Sequence, residues 1–170
     1  MSIITLIGYM GSGKSTVSKK VAKRLNFEAL DLDEYIESQE NKSINDIFKE
    51  KGEIYFRKQE RFYLDQILRE KKNLVLALGG GTPCYGDNMS LILKYSKSVY
   101  LRAHIPTLVS RLSKEQDLRP LIASLDKDQL SEFVAKHLFE RRSFYEQSHF
   151  TVVIDQKTVE EITEEICLLI

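Results

Sequence analysis

The residues with the clearest chemical purpose lie near the start of the chain: Gly8-Tyr9-Met10-Gly11-Ser12-Gly13-Lys14-Ser15-Thr16. They satisfy G-x-x-x-x-G-K-[ST], the pattern of a loop that wraps a polyphosphate. Gly11 and Gly13 let the backbone turn tightly, so that successive N–H groups, that of Ser12 among them, point inward at phosphate oxygens. The start of the following helix adds partial positive charge. Lys14 is expected to reach the β- and γ-phosphates, the Ser15 hydroxyl to ligate Mg²⁺, and Thr16 to contact the α-phosphate region. The expected ligand is Mg-ATP. The plainer alternative is a chance match in a glycine-rich turn; the apolar strand before it and the amphipathic helix after it argue against that. A GTPase would also carry N-K-x-D, and the nearest string, Asn41-Lys42-Ser43-Ile44, lacks the Asp.

Two further groups would complete such a site. Leu30-Asp31-Leu32-Asp33 closes a second apolar run, and alternate residues of an extended segment face the same way. Asp31 would then reach a metal-bound water and Asp33 a substrate hydroxyl, or the two acids simply open a helix over Glu34 to Ser38. Gly79-Gly80-Gly81 follows another apolar run. Three residues without side chains either admit a ligand close to the backbone or make an ordinary turn. Ligands of open α/β sheets sit beyond the carboxyl ends of the strands, which places Gly8 and Gly79 at one edge.

The elements that must hold these residues are legible from periodicity. Apolar runs of strand length recur at Ile3 to Ile7, Phe27 to Leu32, Leu74 to Leu78, Val99 to Leu101 and Phe150 to Ile154. Near-continuous apolar strands imply burial on both faces, hence a parallel sheet covered by helices. Between them, Val17, Val21, Ala22 and Leu25 fall on one face of a helix starting near Lys14, and Leu64, Ile67 and Leu68 do the same later. Ser43 reads as a helix N-cap, and Val159 to Leu169 as a closing helix. The pattern predicts an α/β domain with a five-stranded, mainly parallel sheet.

Composition narrows the partners. The 170 residues suit one globular domain, residues 1–170, and no Pro/Gly/Ser-rich linker divides them. Basic and acidic residues balance at 25 each, so no general attraction to nucleic acid or to an anionic membrane is indicated. No apolar run approaches the ~20 residues that span a bilayer. The N-terminus does not read as a signal peptide. Cys84 and Cys167 form no CxxC pair, and His104, His137 and His149 are scattered. A cytoplasmic protein with no structural metal is expected.

Taken together, the motifs make the chain resemble the shikimate kinase family. The matching strings are G-Y-M-G-S-G-K-S-T (Gly8 to Thr16), L-D-L-D (Leu30 to Asp33), F-R (Phe56-Arg57) with Glu60, L-G-G-G (Leu78 to Gly81), R-P-L (Arg119 to Leu121) and E-R-x-x-x-Y (Glu140 to Tyr145). Their order and spacing agree along essentially the whole chain. The resemblance implies transfer of the γ-phosphoryl of Mg-ATP to the 3-hydroxyl of shikimate, a step toward chorismate and the aromatic amino acids. It also implies a P-loop kinase fold with strand order 2-3-1-4-5, a substrate-binding segment at about 31–61, a mobile lid at about 112–125, and a monomer. Asp33 would hold the shikimate hydroxyls, Arg57 and Arg141 the carboxylate, and the backbone around Gly79, Gly80 and Gly81 would close the pocket. Arg119 in the lid would touch ATP phosphates, and Asp31 would sit near Mg²⁺ through water.

Those roles suit the substrate. Two planar guanidinium groups fix a carboxylate's orientation, and an acid accepts from hydroxyls. Each arginine also has an ordinary alternative. Arg57 pairs with Glu53 or Glu60 on a helix face, with Glu60 as the group that orients it. Arg141 stands beside an equivalent Arg142, and Arg119 reads equally as a surface charge. The chain departs from the common family pattern after Arg141, where Arg142-Ser143-Phe144 replaces N/A-P-L, and in a charged, glycine-poor lid. Arg111 is a candidate second lid cation. The rival readings are a gluconate-type kinase and a non-catalytic ATP-binding regulatory module.

Overall fold

A computed structural model describes residues 2–170 and, of Leu118, the backbone alone. At its centre is β1 (Ile3–Ile7), buried along its whole length. It pairs with β3 (Leu74–Ala77) on one side and β4 (Lys97–Arg102) on the other. β2 (Glu28–Asp31) and β5 (Phe150–Val153) form the edges. Every pairing is parallel, and the order is β2-β3-β1-β4-β5. Fold class and strand order are those expected. Leu74, Val75, Leu76 and Val99 are wholly buried, as strands covered on both faces must be.

Seven helices join the strands among the described residues: α1 (Lys14–Leu25), α2 (Leu32–Glu40), α3 (Ile44–Glu70), α4 (Asn88–Tyr95), α5 (Ile105–Ser113), α6 (Lys127–Tyr145) and α7 (Val159–Leu169). α1 packs on α7 and α5 on α6, and their apolar faces join the strands in one buried cluster. None of these helices is long and apolar enough to cross a membrane.

Two local departures from the expected pattern matter for the site. β2 stops at Asp31, whose Oδ1 accepts the backbone N–H of Asp33 at 3.0 Å and so caps α2. Asp33 therefore sits in the first turn of a helix rather than on an extended strand beside Asp31, and α2 begins at Leu32, two residues earlier than expected. A short acid competes for backbone donors and ends the strand. The second departure is in α3. Ser43 caps it as expected, accepting from the Asp46 N–H at 3.1 Å. The helix then runs on to Glu70, broken only at Gly52 (φ 82°, ψ 171°). That conformation is one only glycine adopts without strain. The break turns the chain between the Ile44–Lys51 arm and the stretch that carries Arg57.

Candidate active site

β1 delivers the chain into the glycine-rich loop, and Gly13 precedes α1 in the left-handed region (φ 86°). Lys14 Nζ donates to the Gly8 carbonyl at 2.7 Å and the Tyr9 carbonyl at 3.0 Å, folded back over its own loop. Burial pulls its pKa down to about 8, against the opposing pull of Asp33 and Asp31. Ser15 Oγ donates to Asp31 Oδ2 at 2.7 Å. A hydroxyl and a carboxylate side by side form the hard oxygen set that Mg²⁺ prefers. Among the described residues no three His, Cys, Asp or Glu side chains cluster as a metal cage. Such an ion would therefore draw its other ligands from water and phosphates, which is how Mg²⁺ is commonly held.

The loop opens into a cleft of about 460 Å³. Its walls include Lys14, Ser15 and Thr16 from the loop and α1, Asp31 and Asp33 from the β2–α2 junction, Gly79 and Gly80 after β3, and Arg119 beyond α5. Residues far apart in sequence thus meet at the carboxyl edge of the sheet. Asp33 lies within this enclosure. Burial is the largest influence on it, with Asp31 and Glu60 adding to it and Lys14 opposing, and its pKa rises to about 6. A carboxyl with that value is ready to exchange a proton near neutrality.

The triple glycine brings the remaining groups together. A Cβ placed on Gly79 would lie 3.1 Å from Asp33 Oδ1, one on Gly80 would lie 3.1 Å from a terminal nitrogen of Arg141, and one on Gly81 would lie 2.9 Å from a terminal nitrogen of Arg57. The strip is closely packed by side chains from other elements, more than an isolated turn requires. Three charged side chains from α2, α3 and α6 each press on a different member of it. Tyr145, one helical turn beyond Arg141, donates to the Gly80 carbonyl at 2.6 Å and fixes the strip from α6.

Arg57 is held from several sides. Its Nη1 donates to Glu60 Oε2 at 2.9 Å, Glu53 lies at 3.6 Å, and the Tyr85 ring stacks on the guanidinium at 3.8 Å. Both expected acids are present, and the buried Glu60 is the nearer. Arg57 also borders a second cavity of about 520 Å³, formed with Ile54, Tyr85 and Asn88 on its far side.

Arg119 borders the cleft, with its Nε and a terminal nitrogen on Glu115 at 3.2 and 2.9 Å. Arg111, near the end of α5, also borders the cleft and donates to the Gly11 carbonyl at 3.3 Å. Three contacts have no motif in the sequence. Thr82 Oγ1 donates to Glu60 Oε1 at 2.7 Å. Gln116 Nε2 ties the segment after α5 together by donating to the carbonyls of Ile122 and Leu125 at 2.9 and 2.7 Å. Tyr9 Oη meets His137 Nδ1 at 3.0 Å, joining the glycine-rich loop to α6. The last had a faint signal: His137 stands four residues before Arg141, on the same helical face. Cys84 Sγ faces the Gly80 carbonyl at 4.0 Å, and burial pushes its thiol up to about 11. It remains a thiol near neutrality and fills space behind the strip.

Comparison with known proteins gives a consistent picture. A family model described as shikimate kinase matches residues 10–170. The chain is 44% identical to a shikimate kinase of Flavobacterium psychrophilum over 167 residues, covering 98% of this chain and 97% of that one. A shikimate kinase of Flavobacterium johnsoniae matches with the same identity and coverage. Among solved structures, a shikimate kinase from Bacteroides thetaiotaomicron superposes with a TM-score of 0.92 at 35% identity, covering 99% of this chain and 97% of that one. One from Acinetobacter baumannii in complex with shikimate gives 0.89 at 29% identity, covering 99% and 92%.

Proposed function

The chain belongs to the shikimate kinase family, and from that premise we propose which of its residues carry the reaction. It is an ATP-dependent kinase that transfers the γ-phosphoryl of ATP to the 3-hydroxyl of shikimate, giving ADP and shikimate 3-phosphate on the way to chorismate. The observation that carries the residue assignment is the convergence of Asp33, Arg141 and Arg57 on three successive glycines at the lip of the phosphate cleft.

Phosphoryl transfer needs alignment and charge neutralisation more than covalent help from the protein. The amides of Gly11, Ser12 and Gly13 cradle the phosphates, and Lys14 leaves the Gly8 and Tyr9 carbonyls to pair with the β- and γ-phosphates. Thr16 contacts the α-phosphate region. Arg57 and Arg141 grip the shikimate carboxylate, the backbone of Gly79, Gly80 and Gly81 lies against the ring, and Asp33 accepts from the hydroxyls and positions the 3-hydroxyl in line. With a pKa near 6, Asp33 is mostly ionised at neutral pH and is placed to take the hydroxyl proton as the new bond forms. Arg119 leaves Glu115 and swings onto the phosphates when residues 112–125 close. Ser15 directly and Asp31 through water would hold Mg²⁺, which would supply charge neutralisation at the phosphates.

We assign residues 1–170 to one working unit, with 31–61 as the substrate-binding segment, and we propose that it acts as a cytoplasmic monomer without nucleic-acid or membrane partners. The test is ADP release by the purified chain in Mg-ATP with shikimate, with gluconate, and with no acceptor. Shikimate-dependent release that falls at least ~10²-fold in Lys14→Ala and in Asp33→Ala supports the assignment, on the scale expected for a lost acid–base or charge-stabilising group. Near-normal kcat in Asp33→Ala removes that residue from the chemistry.

A further inference from the structure

Glu60 is 1% exposed and Thr82 is fully buried. The carboxylate is shared between two donors, Thr82 Oγ1 on Oε1 at 2.7 Å and Arg57 Nη1 on Oε2 at 2.9 Å. Thr82 is itself fixed. Its N–H donates to the Gly79 carbonyl at 3.1 Å, and its carbonyl accepts from the buried Asn88 Nδ2 at 2.9 Å. Arg57 Nε is buried and makes no hydrogen bond, Glu53 lying 3.6 Å from it, so the guanidinium is not saturated by its neighbours. The acid that holds it turns one oxygen, Oε2, to the guanidinium, while the bond from Thr82 to Oε1 fixes the rotation of the carboxylate.

A free carboxylate beside a guanidinium prefers a two-pronged pairing. In that arrangement Arg57 would be drawn toward Glu60 and away from Gly81. We propose that Thr82 is a positioning residue for substrate recognition: by donating to Oε1 of Glu60 it holds the carboxylate rotated so that only Oε2 meets Arg57, leaving the guanidinium available to an incoming carboxylate. Thr82 directly follows the glycine strip, so the residue that sets Arg57 is rigidly tied to the backbone Arg57 presses against. This rests on the reading that Arg57 binds the substrate carboxylate.

The prediction separates binding from chemistry. Thr82→Val keeps the side chain's shape and removes the hydroxyl. It is expected to raise KM for shikimate about 10-fold, within the range of a lost buried hydrogen bond to a charged group, with kcat and KM for ATP within about 2-fold. Thr82→Ser restores the wild-type KM. The decisive comparison is shikimate against its methyl ester, which keeps the ring and hydroxyls and lacks the charge. Thr82→Val lowers kcat/KM for shikimate and leaves that for the ester unchanged, so the discrimination between them shrinks. Equal losses on both substrates, or an unchanged ratio with a lowered melting temperature, overturn the proposal and make Thr82 structural. Arg57→Ala is measured in parallel. If it does not reduce the acid-to-ester ratio, the carboxylate role of Arg57 fails; if it does and Thr82→Val does not, only the positioning role fails. Should the valine variant not fold, Thr82→Ala carries the same comparison, with shikimate and ester affinities read by calorimetry.

Discussion

Lys14 and Asp33 are held by one enclosure that shifts both toward neutrality, the ammonium down to about 8 and the carboxyl up to about 6. Burial disfavours each charge, and each is partly rescued by the other. Because kcat/KM reports the free enzyme, its pH profile is expected to be bell-shaped. The acid limb falls as Asp33 gains its proton below about pH 6, and the basic limb falls as Lys14 loses its proton above about pH 8. In Asp33→Asn the acid limb should vanish while the basic limb remains and moves to lower pH, because Asp33 no longer supports the Lys14 charge. A profile flat from pH 5 to 7 would show that Asp33 does not titrate in the functional range. Bound nucleotide brings negative charge beside Lys14, so the basic limb should move upward in kcat relative to kcat/KM. At this scale the sequence revealed the loop, because its spacing is its geometry. It did not reveal Thr82 or His137, since a single hydroxyl or imidazole carries no pattern until the fold brings its partner from 22 or 128 residues away.

Elements were legible where periodicity is long and obscured where capping competes with it. The buried strands and α1 follow from their apolar spacing. The β2–α2 junction does not, because Asp31 suits a strand end and a helix cap equally, and the cap prevails by satisfying the Asp33 amide. The consequence is functional: Asp33 stands at a helix start, fixed by the residue that also accepts from Ser15. In α3, a glycine inside a helical pattern gave no indication of a break, because propensity treats it as a mild penalty. Nothing lies within 4 Å of where a Gly52 Cβ would sit, so the requirement is conformational alone. Gly52→Ala is therefore expected to cost about 1–3 kcal/mol, lowering the melting temperature by several degrees. KM for shikimate should rise more than KM for ATP, because the break immediately precedes the stretch of α3 that carries Arg57. A calorimetric scan and steady-state kinetics check both. An unchanged melting temperature would mean that the backbone relaxes into continuous helix.

Across the whole molecule, one sheet edge gathers the loop, the acids and the glycine strip, while residues beyond α5 bring the last cation. Arg119 is engaged with Glu115, so the closure proposed above would exchange that ion pair for phosphate. Exposed pairs of this kind contribute only ~0–1 kcal/mol, which makes the exchange easy once phosphate is present. Arg119→Ala is expected to lower kcat by about 10³-fold, the lower end of what an arginine on transferring charge supplies in phosphoryl transfer. Proteolytic nicking within residues 112–125 should slow when ATP analogue and shikimate are both bound, and cleavage at the same rate with and without them would count against closure.

The strip Gly79-Gly80-Gly81 gives way to three different side chains at three successive steps. On the proposed roles, neighbouring codons in this gene would therefore guard different properties. A methyl group at the first would crowd Asp33 Oδ1 and Thr82 Oγ1 alike, slowing turnover as well as weakening capture, whereas one at the second or third would press on an arginine and weaken substrate capture alone. Variation along nine nucleotides should sort into separable kinetic defects, a mutational ruler laid across the boundary between holding the molecule and reacting it.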